Sequence, residues 1–505
     1  MLARSYGAAL GGVTARLVHI EAQVGPGLPG FEIVGLPDRE VRESRVRVKA
    51  ALHSCGLSLP PKRITVNLAP GDLRKVGTSY DLAIACAVLA ASDQLDPHRL
   101  ATTLIVGELG LNGELRGGRG AFCRLRAAAN AGLQHAIVPH ANATESSLVS
   151  NVEVFGANHL MDVLAHLCGD TPLSRLERPN STSASLAPHA LDLSEVRGQP
   201  LARRALEIAA AGSHPLLFVG PPGAGKSMLA QRLSGILPPL DQATLGDLLE
   251  IRSAAGLSNS ARVPLRPFRA PHHSISLPAL MGGGEPIQPG EVTLAHGGVL
   301  FLDELPEFPR SVIEGLRTTM ETGLVHISRV HQKEAMPASP LIVAAMNPCP
   351  CGYAGATHRL CRCTPEAVRR YRGRISGPLL DRLDLHVRLR RIPVQGLLQP
   401  SSEESSATVR ARVLSAHRLR AEREHLLPRP GSTHFTKEAM SALARFVDQI
   451  RASARSFFKL QKIARTIADL EESESVNATH AAEAIAFRAL DAPEETPLQR
   501  LRRVK

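Results

Sequence analysis

The sequence predicts an α/β protein of several domains that ends in an all-helical part. Strand-like and helical segments alternate over the first ~165 residues, a glycine-rich loop joins a later strand to a helix, and only helical periodicity follows Pro400. At 505 residues the chain is also too long for one core. We expect an N-terminal α/β domain over 1–169, a linker over 170–190, a P-loop α/β domain over 191–395 and a helical domain over 396–505.

Composition limits the class of protein and its partners. The net charge is +12, and basic residues concentrate after position 260, which favours a polyanion such as DNA. The chain has no Trp and only four Tyr, so we expect Arg and Lys contacts to phosphate rather than aromatic stacking on bases. No segment resembles a membrane span or a signal peptide, and a soluble cytoplasmic protein is expected.

The N-terminal domain is predicted from apolar spacing and from turn-rich segments such as GPGLPG. The predicted strands are Leu17–Ala22, Phe31–Val34, Arg63–Leu68, Leu104–Gly107 and Ala136–Val138, and the predicted helices are Glu40–His53, Ser79–Ala90 and Arg124–Ala131. The Ser-, Thr- and Pro-rich segment after Asp170 has little periodicity and is typical of a linker. An apolar helix, Leu201–Ala210, then leads into the next strand.

The segment LLFVGPPGAGKS predicts a nucleotide site. It fits G-x-x-x-x-G-K-[ST] between a strand and the helix Met228–Leu237, and glycines let phosphates approach backbone N–H groups at a helix N-terminus. Lys226 is expected to reach the β- and γ-phosphates of ATP, and Ser227 to hold Mg²⁺. The whole loop is Gly220, Pro221, Pro222, Gly223, Ala224, Gly225, Lys226 and Ser227.

An acidic pair follows the apolar run GVLFL. The carboxyl end of a buried parallel strand faces the ligand crevice, so Asp303 is expected to bind Mg²⁺ through water and Glu304 to polarise the attacking water. Two acids at a strand end can also be solvated surface residues. A further strand, Pro340–Met346, ends in Asn347, whose amide can bond both the γ-phosphate and the water.

Two other segments carry candidate sites. Alternation over Leu324–Val330 predicts a β-hairpin that carries Arg329, His331 and Lys333 outward, either as DNA contacts or as a solvated tip. Four of the eight cysteines fall within fifteen residues, which predicts a closed Zn²⁺ site, with free or redox-labile thiols as the alternative. These are Cys349, Cys351, Cys361 and Cys363.

After Pro400 the periodicity predicts four helices, which form an all-α lid. They are Ala407–Glu424, Thr436–Gln449, Ser453–Leu470 and Thr479–Leu490.

Several long strings resemble the magnesium-chelatase-like AAA+ ATPases of the ComM/YifB type. They are GLPDREVRES, RPFRAPHHSIS, PGEVTLAHGGVLFLDELPEF, AAMNPCPCG, SGPLLDRLDLH and ARTIADL. The resemblance implies a Lon-protease-like (ribosomal S5 domain 2-like) N-terminal fold and a hexameric motor on branched DNA in natural transformation. It also implies that the hairpin lies in a central pore.

The same resemblance implies two arginines of the nucleotide site. Arg382, in SGPLLDR, is expected to complete the neighbouring subunit's site, with Arg374 as the alternative residue. Arg382 could instead form a structural ion pair with Asp381 or Asp384 of its own subunit. Arg455, at a helix start, is expected to reach the nucleotide from the lid, with Arg465 as its alternate.

Two other functions are open at this point. The chain could be a protein-remodelling motor like that of magnesium chelatase, or a Lon-like peptidase in which Ser79 is the nucleophile. The position expected for the Lon lysine falls near Phe122, between Arg119 and Arg124, and arginine cannot serve as a neutral base. This disfavours the peptidase.

Overall fold

The structure is a computed structural model of the chain. It describes residues 1–177, 191–257, 266–329, 332–356, 359–392, 403–426 and 434–488. Most of the predicted linker, 178–190, lies outside the described residues.

The N-terminal part is built on a seven-stranded mixed sheet, ordered β3-β4-β2-β1-β5-β8-β9. Its strands, with a small separate pair (β6 and β7), are β1 (Leu2–Gly11), β2 (Thr14–Gly25), β3 (Gly30–Val34), β4 (Arg63–Ala69), β5 (Thr103–Ile105), β6 (Glu108–Leu109), β7 (Leu115–Arg116), β8 (His135–Pro139) and β9 (Glu153–Ala157). Its helices are α1 (Arg39–Ser54), α2 (Asp81–Ala91), α3 (Ala121–Asn130), α4 (Ala143–Ser146) and α5 (Leu160–Cys168). Helix α2 is buried along its whole length.

The central part contains a five-stranded sheet, ordered β11-β14-β17-β10-β18, in which every pairing is parallel. The strands of this region are β10 (Leu216–Val219), β11 (Phe268–Arg269), β12 (Gly282–Gly283), β13 (Gln288–Pro289), β14 (Val299–Leu302), β15 (Leu324–Arg329), β16 (Gln332–Pro337), β17 (Leu341–Met346) and β18 (Leu385–Arg388). Strands β10, β14 and β17 are buried at every residue, as expected for a parallel sheet covered on both faces.

Helices surround this sheet and then form the C-terminal layer. They are α6 (Pro200–Gly212), α7 (Lys226–Ile236), α8 (Gln242–Ala254), α9 (Leu277–Met281), α10 (Glu291–Leu294), α11 (Arg310–Thr322), α12 (Pro365–Arg372) and α13 (Gly377–Arg382). The lid helices are α14 (Ser406–Leu426), α15 (Lys437–Ile450), α16 (Ala454–Leu470) and α17 (Ala478–Ala486). One apolar cluster joins α6, the sheet and the lid helices into a single core.

The predicted fold class, α/β with a parallel P-loop sheet and C-terminal helices, is confirmed. One central element is missing from the prediction, which begins the first strand at Leu17. Strand β1 lies in the middle of the N-terminal sheet, paired with β2 over its full length. Its Ala and Gly residues have low β-propensity, so the neighbouring strands and the burial of its small side chains hold it in place.

Candidate nucleotide site

Three loops meet at the carboxyl edge of the central sheet. Strand β17 lies between β10 and β14, and all three run parallel, so the residues after each strand are neighbours. Gly220 follows β10, Asp303 follows β14 and Asn347 follows β17. The three motifs, which are spread over residues 220–347 of the sequence, therefore lie at one place.

The loop after β10 wraps the ammonium group of Lys226. The Lys226 Nζ donates to the carbonyl oxygens of Gly220 (2.8 Å) and Pro221 (3.2 Å) and to Oδ1 of Asn347 (2.9 Å). Burial lowers the pKa of Lys226, and the carboxylates of Asp303 and Glu304 partly offset that effect. The ammonium is thus held at the mouth of the loop, where a phosphate oxygen can exchange for a carbonyl.

A hydroxyl and a carboxylate lie side by side at the start of α7. The Ser227 Oγ donates to Oδ2 of Asp303 over 2.9 Å. Hard oxygen ligands of this kind suit Mg²⁺, which keeps several of its waters and takes phosphate oxygens as further ligands. The pair can hold Mg²⁺ beside a triphosphate.

Glu304 has an unusual backbone and an unpredicted partner. Its φ of 53° lies in the left-handed region, which is strained for a residue with a side chain. Its Oε2 lies 3.5 Å from Nδ1 of His273, which follows β11 in the string RAPHH. Sequence reasoning did not select His273, although the residue lies in RPFRAPHHSIS, one of the strings that carry the family resemblance. The carboxylate is half-exposed and can face a water at the triphosphate.

The segment before α6 closes the other side of the loop. The buried Gln199 side chain donates through Nε2 to the carbonyl oxygens of Arg390 (2.7 Å) and Ala224 (3.4 Å). A Cβ added at Gly198 would be 3.4 Å from Ile392. The approach to α6 therefore packs between the P-loop and the chain after β18.

The two predicted arginines lie at the opposite edge of the sheet. Arg382 and Arg455 both bind the carboxylate of Glu321 on α11, the latter over 2.6 Å. They line a cleft of about 790 Å³ together with Pro215 and Pro340, which precede β10 and β17. Neither arginine reaches the P-loop of its own chain. Glu321, which no sequence motif indicated, is what brings them together.

The alternative arginines lie in other surroundings. Arg374 contacts the carboxylate of Glu307 (2.7 Å), just after Glu304 and on the P-loop side of the sheet. Arg465 is buried inside the lid, where it binds Asp469 (3.0 Å) and the Glu474 carbonyl (2.8 Å). Arg465 is therefore explained by packing within the lid.

The four clustered cysteines have converged. Their sulfur atoms all lie within 4.8 Å of one another, and Cys349 is 3.4 Å from Cys351 and 3.6 Å from Cys361. A tetrahedral Zn²⁺ with Zn–S bonds of about 2.3 Å places its sulfurs about 3.8 Å apart, so the donor set and its size fit zinc. Backbone N–H groups of Tyr353 and Arg362 lower the pKa of Cys351 to about 6.

The hairpin of β15 and β16 is present as predicted. Arg329 and Lys333 are exposed near its tip, whereas His331 lies outside the described residues. The base of the hairpin is anchored, because Met336 is buried in one cluster with Val13 of the N-terminal domain.

Among the described residues, Ser79 and the position of Phe122 do not form the Ser–Lys type of pair that a Lon-like peptidase needs. The Ser79 hydroxyl is buried and has no hydrogen-bond partner among the described residues. The Phe122 N–H donates to Oγ of Ser253 on α8, and Cys123 Sγ lies 3.2 Å from the Glu250 carbonyl. Helix α3 is thus used to hold the two domains together.

Comparisons with known proteins agree with this geometry. Residues 192–397 match the family model described as magnesium chelatase, subunit ChlI. The chain is 44% identical to the uncharacterized protein YifB of Salmonella typhimurium over 95% of this chain and 96% of that one. It is 42% identical to the competence protein ComM of Haemophilus influenzae, over 97% and 98% of the two chains.

The chain belongs to the magnesium-chelatase-like YifB/ComM family. Its flanking regions match too: residues 20–142 the model for subunit ChlI of Mg-chelatase, and 403–488 the ChlI C-terminal model. A shorter similarity, 33% over 161 residues, relates it to the DNA repair protein RadA of Haemophilus influenzae, covering 31% of this chain and 33% of that one. As a family member the chain is an AAA+ magnesium-chelatase-like ATPase, for which ATP and Mg²⁺ are the implied cofactors. Within the described ranges, no helix combines the length and apolar composition needed to cross a bilayer.

Proposed function

We propose that this protein is an ATP-driven ring motor that acts on branched DNA, as a helicase or in branch migration during recombination. The observation that supports it most is the division of the nucleotide site between two edges of one sheet. Lys226, Ser227, Asp303 and Asn347 converge at the carboxyl edge, while Arg382 lies buried against Glu321 in the cleft at the other edge.

Each group at the carboxyl edge has a role in this proposal. The loop Gly220–Ser227 holds the phosphates, with Lys226 on the β- and γ-phosphates, and Ser227 and Asp303 hold Mg²⁺. The metal, when bound, neutralises charge on the transferring phosphoryl group. Glu304 accepts a proton from the attacking water, and the Asn347 amide orients that water against the γ-phosphate.

The position of the arginines supports a ring assembly. Since Arg382 and Arg455 lie at the edge opposite their own P-loop, we propose that both act on the triphosphate of a neighbouring subunit. An arginine supplied in this way is worth about 10³–10⁵ in rate in phosphoryl transfer. We propose a homo-hexamer, which the resemblance implies.

DNA is the proposed substrate for three reasons. The net charge is +12, and the hairpin presents Arg329 and Lys333 to solvent. The names of two similar proteins, a competence protein and a DNA repair protein, point to DNA metabolism. His331 is included as a contact on its sequence position alone.

Three further proposals complete the assignment. The four cysteines Cys349, Cys351, Cys361 and Cys363 hold a structural Zn²⁺, supported by the size of the sulfur cluster. The domains are those given above: a Lon-like fold over 1–169, a linker over 170–190, the ATPase over 191–395 and the lid over 396–505. The protein is cytoplasmic.

A mixing experiment tests the shared site. Arg382→Ala keeps an intact P-loop, and Lys226→Ala keeps an intact arginine, so each alone should hydrolyse ATP about 10³-fold more slowly than the wild type. Mixed in equal amounts with a four-way DNA junction, the two chains should recover a substantial fraction of the activity. If Arg382→Ala alone turns over normally, or the chain stays monomeric with nucleotide and DNA, the ring motor is wrong.

A protein-remodelling motor is the second candidate. Matches to magnesium chelatase models over three parts of the chain favour it. It predicts ATP hydrolysis that DNA leaves unchanged and the recovery of a large protein partner without DNA. The DNA motor predicts the reverse, namely hydrolysis that rises on adding the junction.

A further inference from the structure

The loop that carries the cysteines also touches the P-loop. Gly352 follows Cys351 directly and has φ +83°. A Cβ added at Gly352 would lie 2.6 Å from Cδ of Pro222 and 3.9 Å from Cγ of Asn347. The bare backbone of Gly352 therefore packs against one side of the triphosphate loop and beside the amide that the proposed reaction uses.

The cysteines hold the loop on both sides of Gly352 along the chain. Cys349 is fully buried, and its Sγ accepts a hydrogen bond from the Ala354 N–H over 3.3 Å. Cys361 approaches from further along the chain and lies 3.6 Å from Cys351. A metal at the four sulfurs would therefore close the loop around Gly352 and fix its position.

The amino-terminal end of the same loop is fixed as well. It begins at Asn347, which receives the Lys226 ammonium, and the Arg372 Nε donates to the Pro348 carbonyl over 3.2 Å. Without metal, only weak hydrogen bonds between sulfur atoms join the four thiol groups. The carboxyl-terminal end of the loop then loses its anchor while Pro222 loses its neighbour.

We propose that Zn²⁺ at the four cysteines braces the P-loop through the Gly352–Pro222 contact, so that metal occupancy sets the affinity for nucleotide. This rests on the proposed function, namely ATP at the P-loop and zinc at the cysteines. The contact assigns the metal a role in the ATPase site itself, separate from any contact with DNA.

A matched pair of glycine variants tests the brace with the metal in place. Gly352 and Gly355 have φ of +83° and +78°, but a Cβ at Gly355 would meet nothing within 4 Å. Gly352→Ala should keep zinc at the wild-type amount, measured by mass spectrometry of the metal, and bind a fluorescent ATP analogue about tenfold more weakly. Gly355→Ala carries the same backbone strain without the clash, and both quantities should match the wild type. Equal affinities in the two variants would overturn the proposal.

Removing the metal is the second test. Cys361→Ser combined with Cys363→Ser leaves Pro348–Gly352 unchanged and should lose zinc, keep its circular dichroism spectrum and bind the analogue more weakly. In the wild type, a chelator should weaken nucleotide binding, and added Zn²⁺ should restore it. If a folded chain without zinc binds the analogue as tightly as the zinc-bound chain, the proposed brace is wrong, while the proposed function still stands. A wild-type chain that takes up no zinc, or binds no nucleotide, overturns the proposed function and the brace with it.

Discussion

Glu304 and Lys226 lie in the same site, but they should fail in different ways when replaced. Glu304→Gln keeps the side-chain shape and loses the base, so we expect kcat to fall by about 10²–10⁴-fold with nucleotide binding retained. Lys226→Ala should lose nucleotide binding because the phosphates lose their cation. Phosphate release and binding of a fluorescent ATP analogue separate the two. Normal turnover in Glu304→Gln would remove it from the reaction.

His273 is expected to position Glu304. Its Nδ1 lies 3.5 Å from Oε2 of Glu304. In His273→Ala the Glu304 carboxylate should no longer be held in one orientation, and kcat should fall by about tenfold to a hundredfold. The KM for ATP should be unchanged, since no phosphate contact is lost. His272→Ala tests the loop itself, because that ring bonds Ser274 (2.8 Å) and packs against the ring of His273, with centroids 4.1 Å apart. If both variants lose kcat equally, the effect belongs to the loop as a whole.

The site residues divide into those that the sequence could predict and those that it could not. Asp303 and Asn347 each follow a strand directly, and Lys226 begins the helix after the glycine-rich loop, so the local motif was enough to find each of them. His273 and Glu321 act through partners far away along the chain, and only the packed structure shows those partners. The same holds for Gly352, whose importance comes from a neighbour across the site.

At the scale of elements, the hairpin is where DNA binding can be measured most directly. Arg329→Ala and Lys333→Ala each remove one exposed cation, so each should lower the slope of log affinity against log salt by about 0.7–0.9 if the side chain contacts phosphate. Fluorescence anisotropy with a labelled junction at several salt concentrations measures this slope. Arg39→Ala, which removes an exposed arginine at the start of helix α1, should leave the slope unchanged. A hairpin variant with the wild-type slope would indicate that the tip is a solvated turn that does not contact DNA.

Elements with strong periodicity were predicted almost to their ends. The lid helix predicted over Ser453–Leu470 is observed as α16, with Ser453 as its N-cap accepting from Ser456. Strand β1 was missed because its alternation is carried by small residues, whose burial depends on strands that follow it in the chain. The sequence therefore predicts helices from local pattern better than strands defined by their neighbours.

At the scale of the whole molecule, contacts between the parts could not be predicted. The Gly120 N–H donates to the Ser253 carbonyl over 2.8 Å, and Arg126 faces Glu250 across the same interface at 3.2 Å. Burial raises the pKa of Glu250 to about 7, although Arg126 counteracts this. Such contacts depend on how the surfaces of the two domains meet. No sequence motif on either surface indicates that interface.

Asp384 joins the ATPase sheet to the lid. It immediately precedes β18 and contacts His214 Nδ1 at 3.1 Å and Lys459 Nζ on α16 at 2.8 Å. The other nitrogen of His214 bonds Thr466 of the same helix (2.9 Å). Burial alone raises the pKa of Asp384, but its bonds to His214 and Lys459 outweigh this and lower the pKa to about 2.

These contacts of Asp384 predict how the stability of the fold changes with pH. Because the pKa of Asp384 is lower in the folded state, its stabilisation is complete above about pH 4 and is lost as the pH falls through about 2. Asp384→Asn should therefore lower the free energy of unfolding by about 2 kcal/mol at pH 7, and by about half as much at pH 3. Urea unfolding followed by circular dichroism measures both, with Glu438→Gln on the exposed first turn of α15 as the control. A loss that is equal at pH 7 and pH 3 would mean that Asp384 acts through shape rather than charge.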